Sequence, residues 1–309
     1  MNNLRNSSVK VSEEVATALD EGRGVVALET TIVVHGLPAP TNLEVAQQCE
    51  DAVRAGGSVP ATIGVLDGAV VVGLNREQLQ SLASPDRDAA KLSARDIGVA
   101  LAKKGDGATT VAGTIAIARR AGIDVMATGG LGGVHRDVRE SFDESADLTA
   151  LSRNQVLVVA SGVKSILDMG ATLERLDTLG VAVAGFNTNR FPGFYQSDSG
   201  FPLEWSLASE REAAVAFLSH CDFSSTGFLV ANPIDRNRQL DSDLHDRALS
   251  SALERAKSLG VSGKEVTPVL LAEFARYTAG VSVQVNRDLV VANAGLAGRI
   301  ASEIAKARV

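Results

Sequence analysis

Lys164 is the residue whose placement in the sequence points most directly to covalent chemistry. It follows the apolar run 156–160 after the short turn Ser161-Gly162-Val163, and the pattern predicts that it opens the next helix. Side chains just after the strands of an open α/β sheet lie where such sheets bind ligands. The positive end of the helix dipole would lower its pKa and leave an amine that attacks a carbonyl carbon. A solvated lysine in a first helical turn explains the pattern equally well.

Glu29 is a second candidate, because it ends the apolar run 25–28. A carboxylate at the mouth of a sheet is costly to desolvate unless it is used or paired. Partial burial would raise its pKa toward the range that suits proton transfer at neutral pH. The alternative is a glutamate that caps the neighbouring amides of Thr30 and Thr31.

Two charge patterns would suit small ions. Lys91 and Arg95 lie one helical turn apart if their segment is helical, which would offer two cations to a phosphate. Asp143 and Asp147 are four residues apart, and on one helix face both would address a hard cation such as magnesium or manganese. The simpler explanations are a solvated basic face and N-capping by Asp143 or Ser145.

A small-residue loop at 105–114 is predicted to open a helix at 115–121. Small residues let backbone amides approach an anion at a helix N-terminus, although close helix packing explains them almost as well. The loop matches neither the P-loop nor the dinucleotide fingerprint. An aromatic loop at 187–195 is either a cover for a planar ligand or simple loop packing.

Composition limits the classes of function. The 309 residues are 45% hydrophobic with a net charge of −7, which suits a full core and argues against a nucleic-acid-binding surface. The first eight residues lack an apolar signal region, and no stretch approaches the length of a membrane span. Cys49 and Cys221 form no CxxC pair, which suits a reducing compartment. We therefore expect a cytoplasmic protein with no nucleic-acid and no membrane partner.

Strand and helix patterns alternate through most of the chain, which predicts a largely parallel sheet covered on both faces. Asp67-Gly68 predicts a hairpin between two short apolar runs. No linker or repeat appears, so residues 1–309 are expected to form a single α/β domain. Helices are predicted at 9–21, 165–179, 268–278 with Thr267 as N-cap, and 286–305.

These motifs make the chain resemble the pseudouridine-5'-phosphate glycosidase family, which also contains proteins called indigoidine synthase A. The resemblance runs from about residue 9 to residue 304. The family implies a three-layer α/β/α sandwich with a mainly parallel, mixed sheet, assembled as a homotrimer. The matching motifs are Glu29-Thr30-Thr31-Ile32 with His35-Gly36-Leu37-Pro38, Pro60-Ala61-Thr62-Ile63, residues 107–112, 127–135, 142–148 and 162–168, Asn232-Pro233-Ile234, residues 263–268 and 286–294.

The resemblance also implies an activity, namely metal-dependent, reversible C–C cleavage of pseudouridine 5'-phosphate to uracil and ribose 5-phosphate. By resemblance, Lys164 forms a Schiff base with C1' of the ring-opened sugar and Glu29 donates a proton. Asp143 holds Mn²⁺, with Mg²⁺ as the alternative. The implied substrate-binding positions are Lys91, Thr110, Val111, Thr128, His135, Ser145, Ala146 and Asp147.

Two positions depart from the family pattern. Ala94 stands where the family often has arginine beside the substrate-binding lysine, and Ala292 stands where it often has asparagine. The first departure could change which base the site accepts. An enzyme that joins ribose 5-phosphate to an aromatic acceptor is therefore the alternative, and a non-catalytic phosphosugar-binding protein is a third class. Glu29, Lys164 and Asp143 together argue against mere binding.

Overall fold

A computed structural model describes residues 9–261 and 266–308 of the chain. Within these residues, eleven strands form one mixed sheet in the order β1-β4-β3-β2-β7-β8-β11-β9-β10, with β6 joining β3 and β5 joining β6. The strands are β1 (Val9–Val11), β2 (Val25–Leu28), β3 (Val59–Leu66), β4 (Ala69–Val72), β5 (Ala89–Leu92), β6 (Asp106–Thr109), β7 (Val125–Ala127), β8 (Leu157–Ala160), β9 (Ala182–Phe186), β10 (Ser206–Leu207) and β11 (Phe228–Ala231).

The centre of the sheet is parallel. Strands β2, β7, β8 and β11 are buried along their whole length, because helices cover both faces of the sheet. Continuous apolar sequences in these four strands suit burial on both faces. Strand β3 pairs antiparallel with both β4 and β6. Asp67 and Gly68 have left-handed backbone angles, with φ of 50° and 72°, so the predicted two-residue hairpin between β3 and β4 is confirmed.

Helices form a layer on each side of the sheet. Helix α12 packs on α2, α9 and the central strands, whereas α5 packs on α7 and on the other face of β2 and β7. This confirms the predicted α/β class with a mainly parallel, mixed sheet. The helices are α1 (Glu13–Asp20), α2 (Thr41–Ala55), α3 (Arg76–Leu82), α4 (Ile97–Ala102), α5 (Val111–Ala121), α6 (Val138–Ser141), α7 (Ala146–Arg153), α8 (Met169–Thr178), α9 (Glu210–Phe223), α10 (Ser242–Leu259), α11 (Val266–Tyr277) and α12 (Val281–Ala307), with a π-helical turn at Ile32–Gly36.

Several predicted boundaries are wrong. The first three residues of the helix predicted at 9–21 form β1 beside β4, because the sheet supplies hydrogen-bonding partners that local periodicity does not reveal. Helix α11 begins at Val266, so Thr267 lies inside it and is not its N-cap. Helix α12 starts at Val281, five residues earlier than predicted. The motif residues 263–265 lie outside the described residues.

No helix among the described residues is both long enough and apolar enough to cross a membrane. In the described part of the chain, the buried apolar side chains form one large cluster and one small cluster, and the small one lies under α3 and the β3–β4 hairpin. The single-domain assignment of residues 1–309 stays a prediction.

Candidate active site

A pocket of about 270 Å³ opens where β2, β7 and β8 end. Strand ends are the expected place, because loops after parallel strands meet at one edge of the sheet. The structure brings all of the predicted site residues to this pocket, although they come from seven separate segments. These residues are Glu29, Lys91, Thr110, Val111, Thr128, His135, Asp143, Ser145, Ala146, Asp147 and Lys164.

Glu29 follows β2 directly and is half-buried in the pocket wall. Its Oε1 accepts a hydrogen bond of 2.5 Å from Thr128 Oγ1, a side chain that follows β7. Burial raises the pKa of the Glu29 carboxyl, while the charge of Lys164 and the Thr128 hydrogen bond oppose that rise. The predicted direction is confirmed, and the partner is Thr128 rather than the amides of Thr30 and Thr31.

Lys164 does not open a helix, and this prediction is wrong. It lies in a turn that runs to Asp168, and α8 begins only at Met169. Its backbone N–H donates to Leu131 O at 3.0 Å, which pairs the turn after β8 with the loop after β7. The turn needs Gly162, with φ of 74°, because a Cβ there would lie 2.2 Å from Pro192 O. A helix dipole therefore plays no part in activating Lys164.

Asp147 holds two loops together. Its buried carboxylate accepts hydrogen bonds from the amides of Ala112, at 2.9 Å, and Gly132, at 2.8 Å. The first amide belongs to the initial turn of α5, so Asp147 occupies the helix N-terminus that could otherwise receive an anion. Ser145 is the N-cap of α7, and its Oγ accepts a hydrogen bond from the Asp147 amide. N-capping by Ser145 is one of the simpler explanations that the sequence offers for this segment.

Asp143 precedes α7 in an irregular segment, so the helical arrangement that would put Asp143 and Asp147 on one face is not formed. Asp143 Oδ2 lies 3.8 Å from His135 Nε2, and its side chain is 29% exposed. No cluster of three or more metal-ligating side chains occurs in residues 9–261 and 266–308. One accessible carboxylate at a pocket wall fits a hard cation that keeps most of its waters, as Mg²⁺ does, and does not fit a cation fully caged by protein.

The cationic side of the pocket is formed by a strand and a turn, so the segment of Lys91 and Arg95 is not the helix on which they would lie one turn apart. Lys91 lies on β5 and Arg95 in the turn after it, yet both line the pocket. His35 faces them, and burial together with the charge of Lys91 lowers its pKa. Ser93, 6% exposed, also lines the pocket, and its Oγ has no hydrogen-bond partner among the described residues.

Sequence reasoning missed Ser93 as well as Asn286 of α12, whose buried Oδ1 also lacks a partner among the described residues. A serine two residues after a candidate lysine on a strand was the available signal for Ser93, since alternate strand residues share a face. Asn286 begins the family motif 286–294, but nothing in the local pattern places it at the pocket, because it lies more than a hundred residues from the ends of β7 and β8.

Strands β2 and β6 run in opposite directions and still end together. Thr30 Oγ1 and Thr109 Oγ1 both donate to Ile63 O, each at 2.8 Å, and Thr30 Oγ1 accepts from the Thr109 amide. These bonds place Thr110 and Val111 at the pocket beside Glu29. The segment predicted as a small-residue loop is therefore strand β6 followed directly by α5.

The aromatic loop mainly packs in the interior. Phe191, Phe194 and Tyr195 are buried, whereas Trp205, just beyond the loop, is 70% exposed. Phe194 is the member of this group that lines the pocket. Loop packing therefore explains most of the aromatic residues, and Phe194 adds one apolar surface to the site.

Fold and pocket together define an α/β protein whose candidate site lies at the carboxyl ends of parallel strands. A family model described as "Indigoidine synthase A like protein" matches residues 14–303, and the chain belongs to this family. It is 57% identical to a pseudouridine-5'-phosphate glycosidase of Salinispora tropica, over 93% of this chain and 89% of the relative. A relative of the same name from Streptomyces griseus is 50% identical, over 96% and 93%.

Two solved structures have the same fold. The prealnumycin C-glycosynthase AlnA, solved in complex with ribulose 5-phosphate, superposes with a TM-score of 0.89 at 38% identity, over 97% of this chain and 98% of that one. An indigoidine synthase A-like protein of Thermotoga maritima also gives a TM-score of 0.89 at 34% identity, over 99% and 100%.

Proposed function

We propose that the protein is a C-glycosidase that reversibly cleaves pseudouridine 5'-phosphate to uracil and ribose 5-phosphate. The observation that carries this proposal is that one pocket holds the amine of Lys164 and the carboxyl of Glu29, whose pKa is raised. The names of the relatives at 57% and 50% identity support the same activity. The ribulose 5-phosphate bound to AlnA supports a pentose phosphate as the ligand.

The reaction needs an electron donor at C1', because a C-nucleoside has no heteroatom leaving group and the bonding electrons must leave with uracil C5. The neutral amine of Lys164 attacks C1', and the N–C1' bond forms as the C1'–O4' bond breaks, with the electron pair and a proton ending on O4'. The nitrogen lone pair then forms the iminium double bond while the bond from C1' to uracil C5 breaks.

Glu29 completes this step as the proton donor. The electron pair of the broken bond passes to uracil C5, and the Glu29 carboxyl protonates that carbon. Water then hydrolyses the iminium, which releases ribose 5-phosphate and returns the amine. Burial of Glu29 favours this role, because a raised pKa keeps more of the carboxyl protonated near neutral pH.

Asp143 would hold the Mn²⁺ or Mg²⁺, with His135 beside it at 3.8 Å. A bound divalent cation would supply positive charge that orients the sugar oxygens. Lys91 and Ser93 would receive the 5'-phosphate, as a cation and a hydroxyl donor on one strand end. We also propose a homotrimer, which light scattering of the purified protein would test.

Borohydride trapping tests the proposal directly. The protein is incubated with ribose 5-phosphate, reduced and mapped by peptide mass, and a separate sample receives ribose 5-phosphate, uracil and Mn²⁺. We expect an adduct on Lys164 and the formation of pseudouridine 5'-phosphate. Absence of the adduct would refute the covalent mechanism.

C-ribosylation of another aromatic acceptor is the second candidate, favoured by the 38% identity to the C-glycosynthase AlnA. An adduct on Lys164 without any coupling to uracil would favour this candidate. Binding of ribose 5-phosphate without adduct or product would instead favour a non-catalytic phosphosugar-binding protein.

A further inference from the structure

Asn293 lies in the middle of α12, is completely buried and does not line the pocket. Its Nδ2 donates to Thr128 O at 2.8 Å, to Gly129 O at 3.3 Å and to Ser161 Oγ at 3.1 Å. Its Oδ1 accepts from Asn232 Nδ2 at 2.9 Å. One amide therefore contacts the residues that directly follow β7, β8 and β11.

Two of these strand ends, those of β7 and β8, carry or support the reacting groups. Thr128 donates the hydrogen bond to Glu29, and Ser161 begins the turn that reaches Lys164 three residues later. The turns also bond each other, since the Ser161 amide donates to Gly129 O at 2.9 Å. A displacement of the Asn293 amide would thus move both Thr128, which bonds Glu29, and the turn that carries Lys164.

We propose that Asn293 is a positioning residue that fixes the Thr128 donor against Glu29 and, through Ser161, the turn that presents Lys164. A buried amide suits this task, because its planar donors and acceptor have fixed directions and each lost bond leaves a buried polar group unpaired. Only the kinetic effect expected for this residue depends on the proposed function. The hydrogen-bond geometry at Glu29 is independent of the substrate.

The first experiment needs no substrate. Glutamate side chains are labelled with ¹³C at the carboxyl, the Glu29 resonance is assigned with the Glu29→Gln variant, and Glu29 is titrated by NMR. The charged groups that face Glu29 are Lys164, Asp147 and Lys91, and all three remain in the variants below. We expect Asn293→Ala to raise the pKa of Glu29, because the donor that stabilises its charged form is no longer held in place.

The Thr128→Val variant should raise the pKa of Glu29 in the same direction. The double variant should add little to the effect of Thr128→Val alone, because both changes act through one hydrogen bond. Independent, additive shifts would show that Asn293 does not act through Thr128, which would overturn this part of the proposal.

Ser58→Ala is the matched control for stability. Ser58 is also buried and donates to Gly298 O of the same helix at 2.6 Å, but it precedes β3 at the opposite edge of the sheet. We expect this variant to be destabilised without a change in the pKa of Glu29. An equal rise of that pKa in Ser58→Ala would reduce the role of Asn293 to general stability.

Kinetics provide the second readout. In Asn293→Ala we expect kcat to fall about 10- to 100-fold from misplacement of the reacting groups, with KM nearly unchanged. A change in KM alone would contradict a positioning role. If Asn293→Ala does not fold, Asn232→Ala removes the donor to the Asn293 Oδ1 from a half-buried position, and smaller changes in the same directions are expected. If the protein proves to have a different reaction, the NMR result still decides the proposal.

Discussion

The two sides of the pocket are built differently. Glu29, Thr128 and Lys164, here called the reacting side, follow adjacent parallel strands and lie in turns joined by hydrogen bonds. Lys91 on β5, with Ser93 and Arg95 in the segment that follows it, forms the cationic side, and among the described residues β5 joins the sheet only through β6. Arg95 is 75% exposed, whereas Thr128 is 1% exposed.

This difference indicates that the two sides of the pocket have different functions. Proton transfer and covalent attack need reacting atoms held within a fraction of an ångström, which buried and hydrogen-bonded turns provide. Capture of a charged group tolerates longer and more mobile side chains. Changes on the reacting side should therefore lower kcat, and changes on the cationic side should mainly raise KM.

Lys164→Ala should have the largest effect, a loss of activity of about 10⁴-fold or more, because the covalent step is removed. The borohydride adduct with ribose 5-phosphate should also disappear. Lys164→Arg keeps the charge but offers no amine for an iminium, so it should be equally inactive. Substantial turnover by the arginine variant would show that Lys164 acts by charge alone.

Glu29→Gln should lower kcat by about 10²- to 10⁴-fold, the usual range for loss of a proton donor. Ribose 5-phosphate should still form its adduct on Lys164. In the wild type, cleavage should fall as pH rises through the raised pKa of Glu29, and this limb should be absent in the variant. Glu50, another glutamate whose pKa burial raises, lies outside the pocket lining, so Glu50→Gln should retain activity.

Asp143→Asn should weaken the dependence on Mn²⁺ or Mg²⁺, with a rise of about 10- to 100-fold in the metal concentration needed for half activity. Glu144→Gln is the control, since Glu144 also lines the pocket but pairs with Arg175 at 2.8 Å. Titration of each variant with Mn²⁺ or Mg²⁺ measures how much each carboxylate contributes to binding of the metal. A larger effect at Glu144 would move the proposed cation to that residue.

Lys91→Met should raise KM for the phosphorylated substrate by about 10-fold or more, since a hydrogen bond to a charged group contributes about 1.5–3 kcal/mol. Its kcat should change little. Arg95→Met should have a smaller effect, because Arg95 is mostly exposed and lies 3.7 Å from Asp96. A dominant loss of kcat in Lys91→Met would contradict the division between the two sides.

The smallest expected effect concerns stability. Because its pKa is raised above 4.5, Glu29 contributes stability that is fully present below that value and is lost as pH rises through the higher folded pKa. Glu29→Gln removes this titration, so its free energy of unfolding should decline less than that of the wild type as pH rises above 4.5. Urea unfolding at several pH values measures the difference, and parallel curves would argue against a buried carboxyl.

The local predictions that succeeded concern short-range physics. The apolar run of β8, the Asp67-Gly68 turn and the position of Glu29 at the end of β2 follow from side-chain period and turn geometry. Helix boundaries failed where tertiary contacts decide. The chain after Ser161 stays in a turn because it pairs with the loop after β7, so the helix-dipole argument for Lys164 fails although its position at the pocket holds.

The sequence by itself determined the class of fold and which residues line one pocket, since apolar periodicity and family motifs are local features that can be read from the order of residues. The tertiary structure alone decided how these residues meet. Strand β6 arrives antiparallel and ends beside Thr30, Asp147 closes the N-terminus of α5, and Asn293 reaches three strand ends from the last helix. The physical reason is that buried polar groups must find partners, and those partners lie far away in sequence.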